Sequence, residues 1–364
     1  MRTLTATLAA ASVLTVAFAG DSSPATRKEL APRTVRFSKP QLPLEQALTE
    51  LTAQSGNSVA DQRRVKTNPT VAVPAEPTTF WPALDAIAQA AGIGFSPYIA
   101  DGGVAMIDSA HRRVPTAHIG LFRVAVRRIA VSRDEETQTH HCQLAVEVAW
   151  EPRFRPFYVE LRQMKLTFAP DANQKQLQTK VRAGGAVSVA GRSAIELDVL
   201  SPAPERSSPR LATFDGMIWA VGPTRMLAFR FDKLAIGAKQ SLPPATQEDV
   251  KVAVTSIRRV SEALLVTVEI ENPKETPAFD SHQSWVDNNR LLLFRGTDNK
   301  KQVFTAITSN VAAQATRARI TYAFAESAEL PLPKTLDGWT LQYETPARIV
   351  ELTVPFTLKD LPLP

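Results

Sequence analysis

The sequence is poor in cysteine: Cys142 is the only one in 364 residues. A lone thiol excludes an intrachain disulfide framework, a cysteine-built zinc cluster and an iron–sulfur centre. Glycine is scarce beside proline, 15 residues against 27. The glycine pair Gly184-Gly185 sits between β-like stretches rather than ahead of a helix, so no phosphate loop is expected. Long basic runs are missing too. Lys and Arg come as isolated doublets such as Arg63-Arg64, Arg112-Arg113, Arg127-Arg128 and Arg258-Arg259, and no aromatic RNA-binding motif accompanies them. The formal net charge of +6 therefore implies no nucleic-acid partner; the doublets suit solvated faces, with an anionic surface as the alternative. The sequence also lacks an H-E-x-x-H pair, a D-x-D-x-D-G loop and a nucleophile elbow, since Gly191-Arg192-Ser193 has no closing glycine. His140-His141-Cys142 is the only dense group of soft ligands, and no second group completes it. No catalytic residue, metal or cofactor is assigned, and the chain is expected to be non-enzymatic.

The opening residues have the layout of an address. Arg2 precedes an apolar run over residues 4–18, which closes on Ala17-Phe18-Ala19. A positive start, a short apolar core and a small-x-small end predict a Sec-type signal peptide over 1–19, cleaved near Ala19. No later stretch of 18 apolar residues is free of charge, so no transmembrane segment is expected once the leader is removed. The mature chain is expected to be exported, to the periplasm, the cell surface or the medium. Residues 20–33 are polar and proline-containing, a linker.

From 34 to 110 the pattern mixes both periods. Val35-Arg36-Phe37 alternates like a strand. Leu44, Ala47, Leu48 and Leu51 then fall at i, i+3, i+4 and i+7, behind Pro43 and ahead of Gly56, which predicts a helix. Val71-Ala72-Val73 is a short strand. A second helix is expected from about Thr78 to Gly92, with Phe80, Leu84, Ile87, Ala88 and Ala91 on its apolar face. An extended run over 93–99, a turn at Asp101-Gly102-Gly103 and a return strand complete two strand–helix–strand units.

The stretches Leu42-Pro43-Leu44-x-x-Ala47-Leu48-x-x-Leu51 and Ala83-Leu84-x-x-Ile87-x-x-x-Ala91-Gly92-Ile93-x-Phe95 resemble the short N-terminal domain of secretins and of TonB-dependent receptors. The resemblance covers about a fifth of the chain. It implies a small βαβ–βαβ module that docks other proteins in the periplasm. The rest departs from those families, because no channel or barrel pattern follows.

After His111 the helical period disappears. Leu144-Ala145-Val146-Glu147-Val148-Ala149-Trp150 alternates, and short strands separated by Pro and Gly clusters continue to the end. This spacing predicts Ig-like β-sandwiches in tandem, at 116–240 and 248–364. The fold class expected is thus an α+β N-terminal module followed by mainly-β domains. Val266-Thr267-Val268-Glu269-Ile270-Glu271-Asn272-Pro273 echoes residues 144–152, and both halves end in a Phe-rich strand, at 229–234 and 356–361. These echoes point to a duplication.

The residues expected to touch a partner are aromatic and basic. Trp150, Arg153, Phe154, Arg155 and Tyr158 crowd a segment held extended by Pro152 and Pro156, and Trp285 lies in a polar loop. Stacking between Arg and aromatic rings is favourable by roughly 0.5–2 kcal/mol. The function expected is that of a docking or scaffold protein of a bacterial cell envelope, whose partner is an envelope protein or an anionic cell-wall polymer. The alternative is a carbohydrate-binding protein or an accessory to a carbohydrate-active or hydrolytic enzyme.

Overall fold

A computed structural model describes residues 17–19, 30–99, 102–170, 176–181, 184–189, 191–204, 206–237, 242–271, 288–296, 302–313, 317–326 and 331–364. Trp285 and its loop lie outside the described residues. Among the described residues the chain is mainly β, with two helices of 12 residues. It divides into two compact units, Met1–Gly222 with Val350–Pro364, and Pro223–Ile349.

Both helices belong to the first unit. Helix α1 (Leu44–Ser55) follows Pro43, whose fixed φ suits the entry to a helix, and buries Leu44, Ala47, Leu48 and Leu51. Helix α2 (Phe80–Ala91) buries Phe80, Trp81, Ala83, Leu84, Ile87 and Ala88. Each stops at a glycine in the left-handed region, Gly56 at φ 74° and Gly92 at φ 67°. A side chain would be strained there, and the glycine N–H returns to a carbonyl of the last turn. Beside the helices, β2 (Gln41–Pro43) pairs antiparallel with β4 (Thr70–Ala72). Strand β3 (Val59–Asp61) runs parallel to β6 (Gly103–Ala110), which pairs antiparallel with β5 (Ile93–Ile99).

Two larger sheets follow in the same unit. The first runs in the order β13 (Ala194–Pro202), β9 (His140–Trp150), β8 (Phe122–Arg133), β7 (Thr116–Ile119). The second is built on β10 (Tyr158–Phe168), which pairs with β11 (Gln178–Val181), β12 (Val187–Ser188) and the first part of β14 (Arg210–Phe231). Strand β14 neighbours β22 (Thr340–Pro362), and β22 also pairs with β1 (Ala17–Ala19). Cleavage after Ala19 would remove β1. The sheets share one core, in which Val124, Val126, Leu144, Val146 and Val148 meet Leu161, Leu166, Phe214, Ile218 and Phe356. Alternate residues of a strand face opposite ways, so one register supplies this whole layer.

The first of these sheets is covered on both faces. Its other face carries Ala149 and Ala194, which join the core of the helices. Leu144 to Trp150 are accordingly all buried. An alternating strand would expose every second residue; here the second set is Ala145 and Ala149, small enough to let a second layer approach, and Glu147, which is paired with Arg123.

The second unit holds the sheet β15 (Ala245–Gln247), β16 (Val250–Val260), β17 (Ala263–Glu271), β21 (Arg317–Ala325), β20 (Ile307–Ala313). Strand β18 (Arg290–Arg295) pairs with β19 (Gln302–Thr305) and with the start of β22. Leu264, Val266, Val268 and Ile270 alternate into its core with Ile320, Tyr322, Leu341 and Tyr343.

The Phe-rich strands do not close the halves in which the sequence places them. Phe229, Phe231 and Leu234 lie in the core of the second unit, and Leu352, Val354, Phe356, Leu358 and Leu361 in that of the first. A cut at 240–248 therefore separates strands from the cores they complete. Phe356→Ala is expected to destabilise the first unit by about 3–5 kcal/mol, the usual cost of emptying a Phe site. Ending the chain at Ile349 should abolish its cooperative unfolding altogether, as followed in urea by tryptophan fluorescence.

Candidate functional site

The expected contact segment is mostly core. Trp150 is fully buried, and its indole N–H donates to the Arg192 carbonyl at 3.1 Å. Phe154 is buried with its ring edge-on to Phe122, centroids 6.1 Å apart, and Tyr158 is also buried. Arg153 is ion-paired to Glu151 at 2.6 Å and donates its backbone N–H to Asn57 Oδ1 at 3.0 Å. Only Arg155 of this group is exposed. The reason is topological: the segment crosses from β9 in one sheet to β10 in the other, so its aromatics fill the end of the core. Gly222 sits under the crossover, where a Cβ would stand 2.6 Å from Pro156 Cα. Trp150, Phe154 and Tyr158 thus offer no contact surface. His140 and His141 are exposed while Cys142 faces the core, where burial pushes its thiol up to about 11.

Glu151 anchors a second set of interactions. Its Oε2 accepts from Asn57 Nδ2 at 3.0 Å and Arg153 Nε at 2.6 Å, while Oε1 has no hydrogen-bond partner. Burial raises its carboxyl above the ordinary range, against the opposing pull of Arg153 and Asn57.

The site that the sequence did not disclose is a cleft of about 730 Å³. Helix α2 contributes Asp85 and Gln89, the segment after β6 contributes His111, Arg112 and Arg113, the β7–β8 hairpin contributes His118 and Arg123, and β22 contributes Thr357 and Lys359. Its frame is a charge network. Trp81 and Asp85 lie one turn apart on α2 and share a face. Trp81 donates its indole N–H to Leu121 O at 3.0 Å. Asp85 takes a forked pair from Arg123, at 3.0 Å from Nε and 3.2 Å from Nη2, and meets His118 Nε2 at 2.6 Å. His118 and Arg123 are opposite each other across β7 and β8. Arg123 also donates to Glu147 Oε1 at 2.8 Å and lies over the Phe95 ring at 5.2 Å. Burial would raise the Asp85 carboxyl, but His118 and Arg123 outweigh it and hold the group below its ordinary value.

Asp85 is the only acidic residue lining the cleft among the described residues, and Arg123 and His118 occupy it. Arg112, Arg113 and Lys359 are exposed and have no carboxylate partner among the described residues. The acid next to Lys359 on β22, Asp360, pairs with Arg210, and Asp215 of β14 accepts the Thr357 hydroxyl at 2.7 Å. The Thr116 hydroxyl donates to Val114 O. The cleft therefore presents three uncompensated cations, and its low-dielectric walls concentrate their field. No protein-family model matches the chain, and no curated protein matches it in sequence.

Two outcomes follow for stability. Arg123 and Glu147 have side chains only 5% and 2% exposed; Arg123→Ala leaves the buried Glu147 carboxylate only the longer pair to Arg127 at 3.8 Å and should cost about 3 kcal/mol, the low end for breaking a buried pair. Asp85 and Glu151 act with opposite signs on acidification. The folded Asp85 titrates below 3.8, so its contribution is complete above that value and is lost as pH falls through the lower folded one. The folded Glu151 titrates above 4.5, so the folded state gains relative stability as pH falls through the interval down to 4.5. Urea midpoints across this range should show Glu151→Gln abolishing the gain and Asp85→Asn abolishing the loss.

Proposed function

We propose that this chain is an exported, non-enzymatic docking or scaffold protein of a bacterial cell envelope, which holds an anionic partner by contact. The observation that carries the reading is the cleft, which Arg112, Arg113 and Lys359 line while Asp85, its one acidic lining residue among those described, is bound by Arg123 and His118. Such an arrangement attracts and orients negative charge, the work of a binding site. The leader-like start supports export. The order strand, α1, strand, strand, α2, strand supports a docking module over 34–110, and the paired sheets beyond it support Ig-like sandwiches. The partner is an acidic envelope protein or an anionic wall polymer.

The carbohydrate-binding alternative needs a row of exposed flat rings. Trp81, Trp150 and Trp339 are buried, and Trp219 has the Arg162 guanidinium stacked on it at 3.9 Å, so the described tryptophans give that reading little support.

Binding to immobilised poly-glutamate and to an uncharged polymer separates the two. The mature protein is expected to be retained on the polyanion at low salt and released by about 0.5 M salt, where screening acts over a few ångströms. Retention on the uncharged glycan alone, insensitive to salt, would overturn the docking reading.

A further inference from the structure

We propose that the cleft between α2, the 111–116 segment and β22 is a receptor for a phosphate monoester. This rests on the anionic docking reading and names the chemistry of the group bound.

Arg112, Arg113 and Lys359 bring three positive charges to one cleft, and nothing opposite neutralises them among the described residues. A phosphate monoester carries about −1.5 to −2 charges near neutral pH, a carboxylate one. The monoester therefore balances the site better. Geometry points the same way. A carboxylate is planar and matches a single guanidinium fork, as Asp85 takes one from Arg123. The free donors here come from different walls: two guanidiniums from the loop after β6, an ammonium from β22 and the Gln89 amide from α2. Donors spread in this way suit three oxygens on a tetrahedral centre. Arg supplies bidentate contacts and Lys a point charge, a common pairing at phosphates.

The surroundings keep the site selective for anions. Asp85 is turned to Arg123 and His118, and Asp360 to Arg210. Val114, Pro115 and Leu358 form the apolar part of the lining, where the carbon skeleton of the ester can rest. At about 730 Å³ the cleft exceeds the needs of inorganic phosphate, so the phosphate is expected at the end of a larger molecule. A lipid headgroup and a soluble or wall-borne ester share this chemistry.

Calorimetric titration of the mature full-length protein tests the proposal, with glycerol 3-phosphate as the monoester and glutarate as a dicarboxylate of similar charge. Glycerol 3-phosphate should bind at least about tenfold more tightly than glutarate, a difference of about 1.4 kcal/mol. Arg112→Ala with Arg113→Ala should weaken it by at least about tenfold, and Lys359→Ala by a smaller factor. All three positions are exposed, so unfolding midpoints should be unchanged. Arg112→Lys with Arg113→Lys should recover part of the affinity. Sedimentation with phosphatidylcholine vesicles, with and without phosphatidic acid, distinguishes the sources. Binding to both the free ester and the acidic vesicles supports the site and includes lipid among its ligands; binding to the free ester alone supports it and excludes lipid. Equal affinity for glutarate would overturn the phosphate assignment while leaving anionic docking intact. An unchanged titration in the double alanine variant would overturn the cleft as the site, as would vesicle binding without free-ester binding. No interaction with either anion would overturn both readings.

Discussion

The first unit depends on the bridge made by Arg123. One guanidinium grips Asp85 of α2 on one side and Glu147 of β9 on the other, and lies over Phe95. Each partner alone would be a charge withdrawn from water at a cost of several kcal/mol. Together they hold a helix against a sheet whose other face is already in a core. The bridge also decides the sign of the cleft. It turns the lining carboxylate into part of the wall, so that Arg112, Arg113 and Lys359 line the cleft with no carboxylate partner among the described residues.

The elements near the N-terminus were legible because each is set by local chemistry. Pro43 and Gly56 bracket α1, and Thr79 and Gly92 bracket α2, as the 3.6-residue spacing of Leu44, Leu48 and Leu51 or of Leu84, Ile87 and Ala88 implies. Most strands were legible for the same reason. Their arrangement was not. Alternation in Leu144 to Trp150 announces one apolar face, yet Ala145, Glu147 and Ala149 are buried as well. Nothing in seven residues says that a second layer covers the small ones. The terminal Phe-rich strands were legible as strands, but their exchange of cores depends on pairings made across more than a hundred residues.

The site was less legible still. A crowd of aromatics between prolines is equally the signature of a crossover filling a core, and Trp150 and Phe154 take that role. The residues that line the cleft are separated in sequence by up to about 270 positions, from Asp85 to Lys359. Arg112-Arg113 looked like any solvated doublet, and His118 like a histidine without ligand spacing. Arg123 and Glu147 sit at positions that alternation assigns to solvent, and only the structure shows them buried as a pair. Pairs of that kind mark where a second layer docks.

The most direct test of the account is amide chemical-shift mapping of the protein during titration with glycerol 3-phosphate. The account predicts shifts concentrated at Gln89, residues 111–116 and residues 357–359, with the side-chain Nε resonances of Arg112 and Arg113 moving together with them. Shifts confined to the second unit, or to the Trp150–Tyr158 crossover, would contradict it.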